Sequence, residues 1–550
     1  MTKQSTVTLV AFLLSAAWLL LHAMQGFSFL DIGMYMSGYQ YFNAEPRPSF
    51  FLGQWLMSYE FTGWLTELLH LHGYYALRVM RVVWFMVLQA ILFVYLKCYL
   101  PWQYLIIALA MSTLAQQGSY AEINYNDYSA LWLILSLLAM HQALAGSKRA
   151  LAWYMASGCM AGIAIFFRLT NLTFLALPFY AIIITAWMRR PCTPLKMLTG
   201  FFTGALLGIA TAVAIIFATG MGDVLRLTVN SLTGMSSNAD DPHNLKSVLF
   251  GLYGIYKGQV QGIAVIIFLY LIYIILNRRT TVKAMHYALS LVLAAAIVFC
   301  VYFHEPTSNI TVGICWLAFL AVIAQPDKQP EQGSLLALAM FQPLFLPIGT
   351  NGGPEFIGQD LAFLPLPMAL FTLKNSWLPA ASDQQRLHAR ARIVTLAGIF
   401  LALLYTDVKR PMMEDGNRIE CRYALNSTLT RHIYTTQQNA DTLNALTSRL
   451  NGVLPKGSYL ICNFNIPLIS LLDCKPFGVY ATLYSSTDMC QAYVSEAQKS
   501  TGAMPYLLIN KAQLTPKDRE LTTILRSKAT YARIWKWQDY ELWKPKETKK

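Results

Sequence analysis

One acid near the start of the chain has the surroundings that chemistry at a membrane surface needs. Asp31 lies in Gly26-Phe-Ser-Phe-Leu-Asp31-Ile-Gly-Met-Tyr35-Met-Ser-Gly-Tyr39-Gln-Tyr41, just past the first long apolar run. The tyrosines around it tolerate a lipid–water interface. A carboxylate at such a place can take a proton from an attacking hydroxyl, and Tyr35 is a candidate to contact the substrate. Asp31 can equally be the N-cap of the segment that follows, since Asp before a helical stretch is a common cap.

A second concentration is Tyr120-Ala-Glu122-Ile-Asn124-Tyr125-Asn126-Asp127-Tyr128, directly before another apolar run. Carbohydrate sites combine planar polar groups with aromatic faces, so Glu122, Asn124 and Asp127 are candidates to bind sugar hydroxyls or to support Asp31. Asp127 also reads as the cap of the helix that follows. Arg168 stands in an otherwise apolar hairpin, where an arginine must face a partner or a polar cavity, and its fork suits a phosphate. Its other reading is a snorkelling or carboxylate-paired arginine. Further cations for a phosphate are Arg47, Arg78, Arg81, Arg226, Lys246 and Lys257. Asn351, with Glu355 and Asp360, flanks Gly352-Gly353-Pro354, which plain turn chemistry also explains. His243 beside Asp240-Asp241, and His304-Glu305, lack a recognised ligand spacing, so no metal is expected.

The elements that must position these residues are membrane spans. The chain has 550 residues, of which 55% are hydrophobic and only 13% charged, with a mean hydropathy of +0.41. Soluble domains carry roughly 25% charged residues. The apolar residues fall in repeated long runs, which defines a polytopic α-helical membrane protein. The net charge of +14 comes mainly from short clusters between runs, such as Lys148-Arg149, Arg189-Arg190 and Arg278-Arg279. That is the positive-inside pattern, not a nucleic-acid face.

Placing those clusters inside yields about thirteen transmembrane helices over residues 1–405. Long outer loops then span 27–76, 116–128 and 220–261, and the first holds Trp55, Tyr59 and Trp64 at a spacing suited to interfacial helices. The run at 7–25 is longer than a signal-peptide core and no Ala-x-Ala follows it, so it reads as a retained helix. The odd span count exports residues 406–550. Strands are predicted near 458–463, 505–510 and 531–537, with helices near 438–453 and 516–527, so this tail reads as a small α/β domain. It holds Cys421, Cys462, Cys474 and Cys490, an even number that permits disulfides. No nucleotide-binding loop or triad signature occurs in it.

The long loops and nearly all acids outside the tail fall on the outer face, while the spans are almost free of charge. Transporters instead place functional polar residues within spans. This layout, a first span followed at once by an acid-bearing outer loop, interfacial helices, many spans and an exported domain, resembles the GT-C superfamily of membrane glycosyltransferases. It is most similar to the branch with protein O-mannosyltransferases and lipid A aminoarabinose transferases. The resemblance implies a polyprenyl-phosphate sugar as donor, and an aspartate of the first outer loop, here Asp31, as base or acceptor-positioning group. The family's common Asp-Glu pair is replaced by Asp31-Ile32-Gly33.

The expected activity is an inverting, metal-independent transfer of a hexosyl or pentosyl group to a glycan, lipid or protein acceptor. The lipid-linked sugar is a substrate, and no cofactor is expected. The expected location is the inner membrane, multi-pass, with the tail periplasmic. The rival readings are a transporter or flippase of lipid-linked glycans and a non-catalytic membrane assembly protein.

Overall fold

The structure is a computed structural model. It describes residues 3–29, 31–41, 56–115, 122–226, 331–346, 364–376, 415–478 and 487–546, with isolated positions between 253 and 409. The spans expected beyond residue 226 and the loop 220–261 fall largely outside the described residues.

Within them, 5 helical stretches are long and apolar enough to cross a membrane. They are α1 (Lys3–Ala23), α4 (Tyr74–Leu96), α7 (Ala150–Phe167), the stretch Leu169–Trp187 and α9 (Pro194–Ala218). Between them lie α2 (Asp31–Gln40), α3 (Leu56–Leu68), α5 (Trp102–Ala115) and α6 (Tyr125–Leu144). The stretch Leu169–Trp187 is a 3-10 turn, Leu169–Ala176, running into α8 (Leu177–Trp187). Such sequences become helices because lipid supplies no partner for an open backbone. The chain is a helical membrane protein with a C-terminal sheet domain.

Helices α7 and α9 set the position of Arg168 at the end of α7. Gly158 and Gly162 of α7 meet the backbone of α9 at Phe201 and Ala205, and Gly204 and Gly208 of α9 meet that of α7 at Met155 and Cys159. A Cβ at Gly158 would lie 1.8 Å from the Phe201 carbonyl oxygen, and one at Gly204 1.9 Å from that of Met155. The helices therefore touch backbone to backbone, as small-residue ridges allow in membranes. On the other flank of α7, the Ser136 hydroxyl of α6 donates to Ser157 O at 2.9 Å.

The tail carries a two-stranded ribbon, β1 (Tyr423–Ala424) and β2 (Tyr434–Thr435), and a five-stranded sheet. The sheet consists of β3 (Tyr459–Cys462), β4 (Lys475–Pro476), β5 (Tyr506–Asn510), β6 (Tyr531–Trp537) and β7 (Tyr540–Pro545), in the order β4-β3-β5-β7-β6. Strand β3 is parallel to β4 and β5, and the rest is antiparallel. Helices Gln437–Leu450 and Pro516–Lys528 match the sequence pattern, whereas β7 and helix Thr487–Thr501 had no clear signal. Tyr-Glu-Leu-Trp-Lys-Pro has two charges, a proline and no β-branched residue. Pairing with β5 and β6 on its two sides makes it a strand despite that composition.

The sheet has two different faces, because successive side chains of a strand point to opposite sides. Ile461, Leu507 and Ile509 pack under helices 487–501 and 516–528 with Val494 and Leu525. Leu460, Cys462, Leu508 and Leu542 belong instead to one core with Phe27, Ile32, Tyr35 and Tyr59 of the membrane part. The four tail cysteines are buried and free, so the pairing that their even number allowed is not formed.

Candidate active site

Helix α2 begins at Asp31, whose backbone is described and whose side chain is not. Positions 31 and 35 are one turn apart and share a helical face. Tyr35 is buried, edge-on to the Tyr125 ring at 6.0 Å between centroids, and tilted against Tyr59 at 6.3 Å. One turn further, the Tyr39 hydroxyl donates to Ile123 O at 2.7 Å. Burial, reinforced by the neighbouring Tyr128 and Asp127, pushes its pKa well above the ordinary phenol value, so it stays protonated as a donor. In α3, Tyr59 is buried while Trp64 is 54% exposed. The two therefore do not share one interfacial face: five residues turn a helix well past the same side.

The second loop is held by its own acids and amides. The Asn124 side chain accepts from Asn126 N at 2.8 Å, and Asp127 Oδ2 accepts from Asn124 N at 3.0 Å, which closes a capping box at the start of α6. Arg81 Nε donates to both Asp127 oxygens at 3.0 Å. Glu122 Oε1 accepts from Arg78 Nε at 2.6 Å, and both side chains are only 1% exposed. The remaining guanidinium nitrogens of Arg78 donate to Ala23 O at 3.2 Å, Gln25 O at 3.3 Å and Gly26 O at 2.9 Å. One arginine of α4 thus ties the end of α1 to the second loop. Arg78 and Arg81, which the sequence offers as phosphate-binding cations, are engaged by carboxylates instead.

Arg168 differs. It follows the last residue of α7 with extended backbone, φ −156° and ψ 124°, and is half-buried. Its Nη1 donates to Asn126 Oδ1 at 2.8 Å, and its Cζ lies 5.1 Å from the Tyr125 ring centroid. Among the described residues it makes no ion pair with a carboxylate. A guanidinium has five N–H donors, so most of this one is available to an anion. Tyr125 joins it to Tyr35, and Tyr35 to the face of α2 on which position 31 stands.

No family model matches this sequence, and no curated protein matches it. Two solved structures from Archaeoglobus fulgidus are similar in shape. One is the archaeal oligosaccharyltransferase AglB in complex with an inhibitory peptide and a dolichol-phosphate, at TM-score 0.46 and 10% identity, covering 95% of this chain and 71% of that one. The other is the oligosaccharyltransferase in complex with zinc and sulfate, at TM-score 0.48 and 10% identity, over the same shares of the two chains. Similarity of that order assigns neither a family nor an activity.

Asn351, Glu355, Asp360, Arg47, Lys246, Asp240, Asp241, His243, His304 and Glu305 lie outside the described residues. Among the described residues no three His, Cys, Asp or Glu side chains come together as a metal site. Residue type alone does not distinguish Tyr125 and Asn126 from their neighbours Asn124 and Asp127. Their importance appears only when α7 delivers Arg168 to them.

The first loop is also bound to the tail. Gly26 N donates to Tyr434 O and Tyr434 N to Met24 O, both at 2.8 Å. Phe27 N donates to Asp415 Oδ2 at 2.8 Å, and the same carboxylate accepts from Asn439 Nδ2 at 2.8 Å and from the Thr435 hydroxyl. Residues 24–29 and the tail therefore lie on one side of the bilayer. Nearby, Trp18 Nε1 donates to Asp407 Oδ2 at 2.8 Å, and Arg418 Nε donates to Asp407 O at 2.7 Å. Burial lowers the Arg418 pKa to about 10 against the pull of Asp407, so the side chain is still a cation at neutral pH.

Proposed function

We propose that this protein is a membrane glycosyltransferase. It moves a hexosyl or pentosyl group from a polyprenyl-phosphate carrier to an acceptor at the outer face, with inversion and without a metal. The observation that supports this most is the state of Arg168: a half-buried guanidinium whose only described hydrogen-bond partner is the neutral Asn126. Its aromatic neighbours lead to the helix that Asp31 opens.

In this reading the donor phosphate sits against Arg168, with Asn126 orienting the guanidinium. Asp31 accepts the proton of the acceptor hydroxyl as its oxygen bonds to the anomeric carbon. The bond from that carbon to the phosphate oxygen breaks, and the electron pair leaves with polyprenyl phosphate, whose charge Arg168 stabilises. Tyr35 borders the sugar. Glu122, Asn124 and Asp127 serve by holding Tyr125 and Asn126 in place, and Asn351 is assigned to substrate contact from its own loop. Residues 24–41 and the tail share one face, here the periplasmic side of the inner membrane.

Purified protein in lipid nanodiscs, given polyprenyl-phosphate hexose and pentose donors with and without candidate acceptors, tests this directly. Release or transfer of sugar is expected from at least one donor. In a parallel assay in sealed vesicles, movement of the intact donor across the membrane without cleavage would mark a transporter, contrary to this proposal.

A further inference from the structure

We infer, on the basis of the glycosyl transfer proposed above, that the C-terminal domain positions the site: its Asn465-Ile466-Pro467 turn fixes the start of α2, and with it residue 31. The contacts fall on both sides of that residue. Ile466 N donates to Phe29 O at 2.9 Å, and the Phe464 ring stacks on Phe29 at 5.9 Å between centroids. On the other side, a Cβ at Gly33 would lie 2.3 Å from Pro467 N and 2.5 Å from Ile466 C. Only a residue without a side chain lets these backbones meet. That explains the glycine at position 33. Beyond the far end of α2, the Tyr41 hydroxyl donates to Cys474 O at 2.8 Å.

The turn is itself anchored in the sheet. Asn465 has φ +60°, a left-handed conformation that asparagine tolerates better than most residues. Its Nδ2 donates to the Tyr540 hydroxyl at 2.7 Å. Tyr540 opens β7, which has a strand on each side. The path from sheet to site therefore runs through Tyr540, Asn465, Pro467 and Gly33 to residue 31. Asn465 is a positioning residue, and its effect belongs in kcat, because the donor phosphate is held elsewhere by Arg168.

The test uses full-length protein in nanodiscs carrying Gly33→Ala, Asn465→Ala or Asn465→Gly. For each, kcat, donor KM and hydrogen exchange of the α2 amides are measured. A misplacement of about 1 Å can cost on the order of 10²-fold in rate. Both alanine variants should therefore lower kcat by roughly 10–10²-fold with donor KM unchanged, and should speed exchange in α2. Asn465→Gly reaches positive φ without steric cost but also loses the bond to Tyr540, so it should recover only part of the rate. Wild-type kcat in Asn465→Ala would overturn the inference. Should Gly33→Ala fail to fold, the two Asn465 variants decide it. Absence of sugar transfer in the wild type would overturn the enzymatic proposal alone. Exchange in α2 then decides the positioning role, and unchanged rates in Asn465→Ala would refute it.

Discussion

Arg78 and Arg168 stand at the same end of the helical bundle, and their surroundings are opposite. Arg78 is 1% exposed, paired with Glu122 and bonded to three carbonyls of residues 23–26. Arg168 is half-buried and, among the described residues, has one neutral hydrogen-bond partner and one ring. Burying a cation beside lipid is costly unless its donors are used. Arg78 meets that requirement within the protein. Among the described residues, Arg168 is less buried and faces no carboxylate. Arginines that look alike in sequence are thus separated into a structural one and a functional candidate by what reaches them from the second loop.

Removing each arginine should give different losses. Arg78→Ala leaves Glu122 buried without its cation, which costs about 3–5 kcal/mol. A large fall in melting temperature is expected, and a fall no larger than that of Arg168→Ala would erase the distinction. For Arg168→Ala, melting should change little while donor turnover falls by roughly 10²–10³-fold, the usual effect of removing one charge-stabilising donor. Arg168→Lys keeps the charge but not the planar fork, so it should recover only part of that rate. The smallest effect belongs to the scaffold between them. Asn124→Ala should cost about 1 kcal/mol of stability through the lost cap, read as a small fall in melting temperature.

The sequence showed some of this arrangement and hid the rest for identifiable reasons. Runs such as Tyr74–Leu96 and Pro194–Ala218 are long and predominantly apolar, and in lipid such runs can only be helices. In the tail, β3, β5 and β6 stood out by their β-branched and aromatic residues, whereas β7 depended on its neighbours. A cap at the start of α6 could be seen because capping is local, a matter of three residues, although the N-cap is Asn124 and Asp127 takes the N3 place of the capping box. Its bond to Arg81 spans 46 positions, and Arg78 reaches Glu122 across 44, so neither pairing leaves a trace in local pattern. The contact of Gly33 with Pro467 is longer still. A lone glycine between Ile32 and Met34 carries no local sign of its neighbour, and only the fold shows that it marks a close backbone approach.

Asp31 is where the proposed function stands or falls, and Asp31→Asn tests it with the least disturbance. The amide keeps the shape of the carboxylate and caps a helix about as well, but it cannot accept the acceptor's proton. Sugar transfer and melting temperature should be measured on one purified preparation. The expected result is a loss of roughly 10²–10⁴-fold in turnover, the usual contribution of a positioned base, with melting unchanged. Near-normal turnover with normal melting would show that Asp31 only starts a helix, and would remove it from the chemistry.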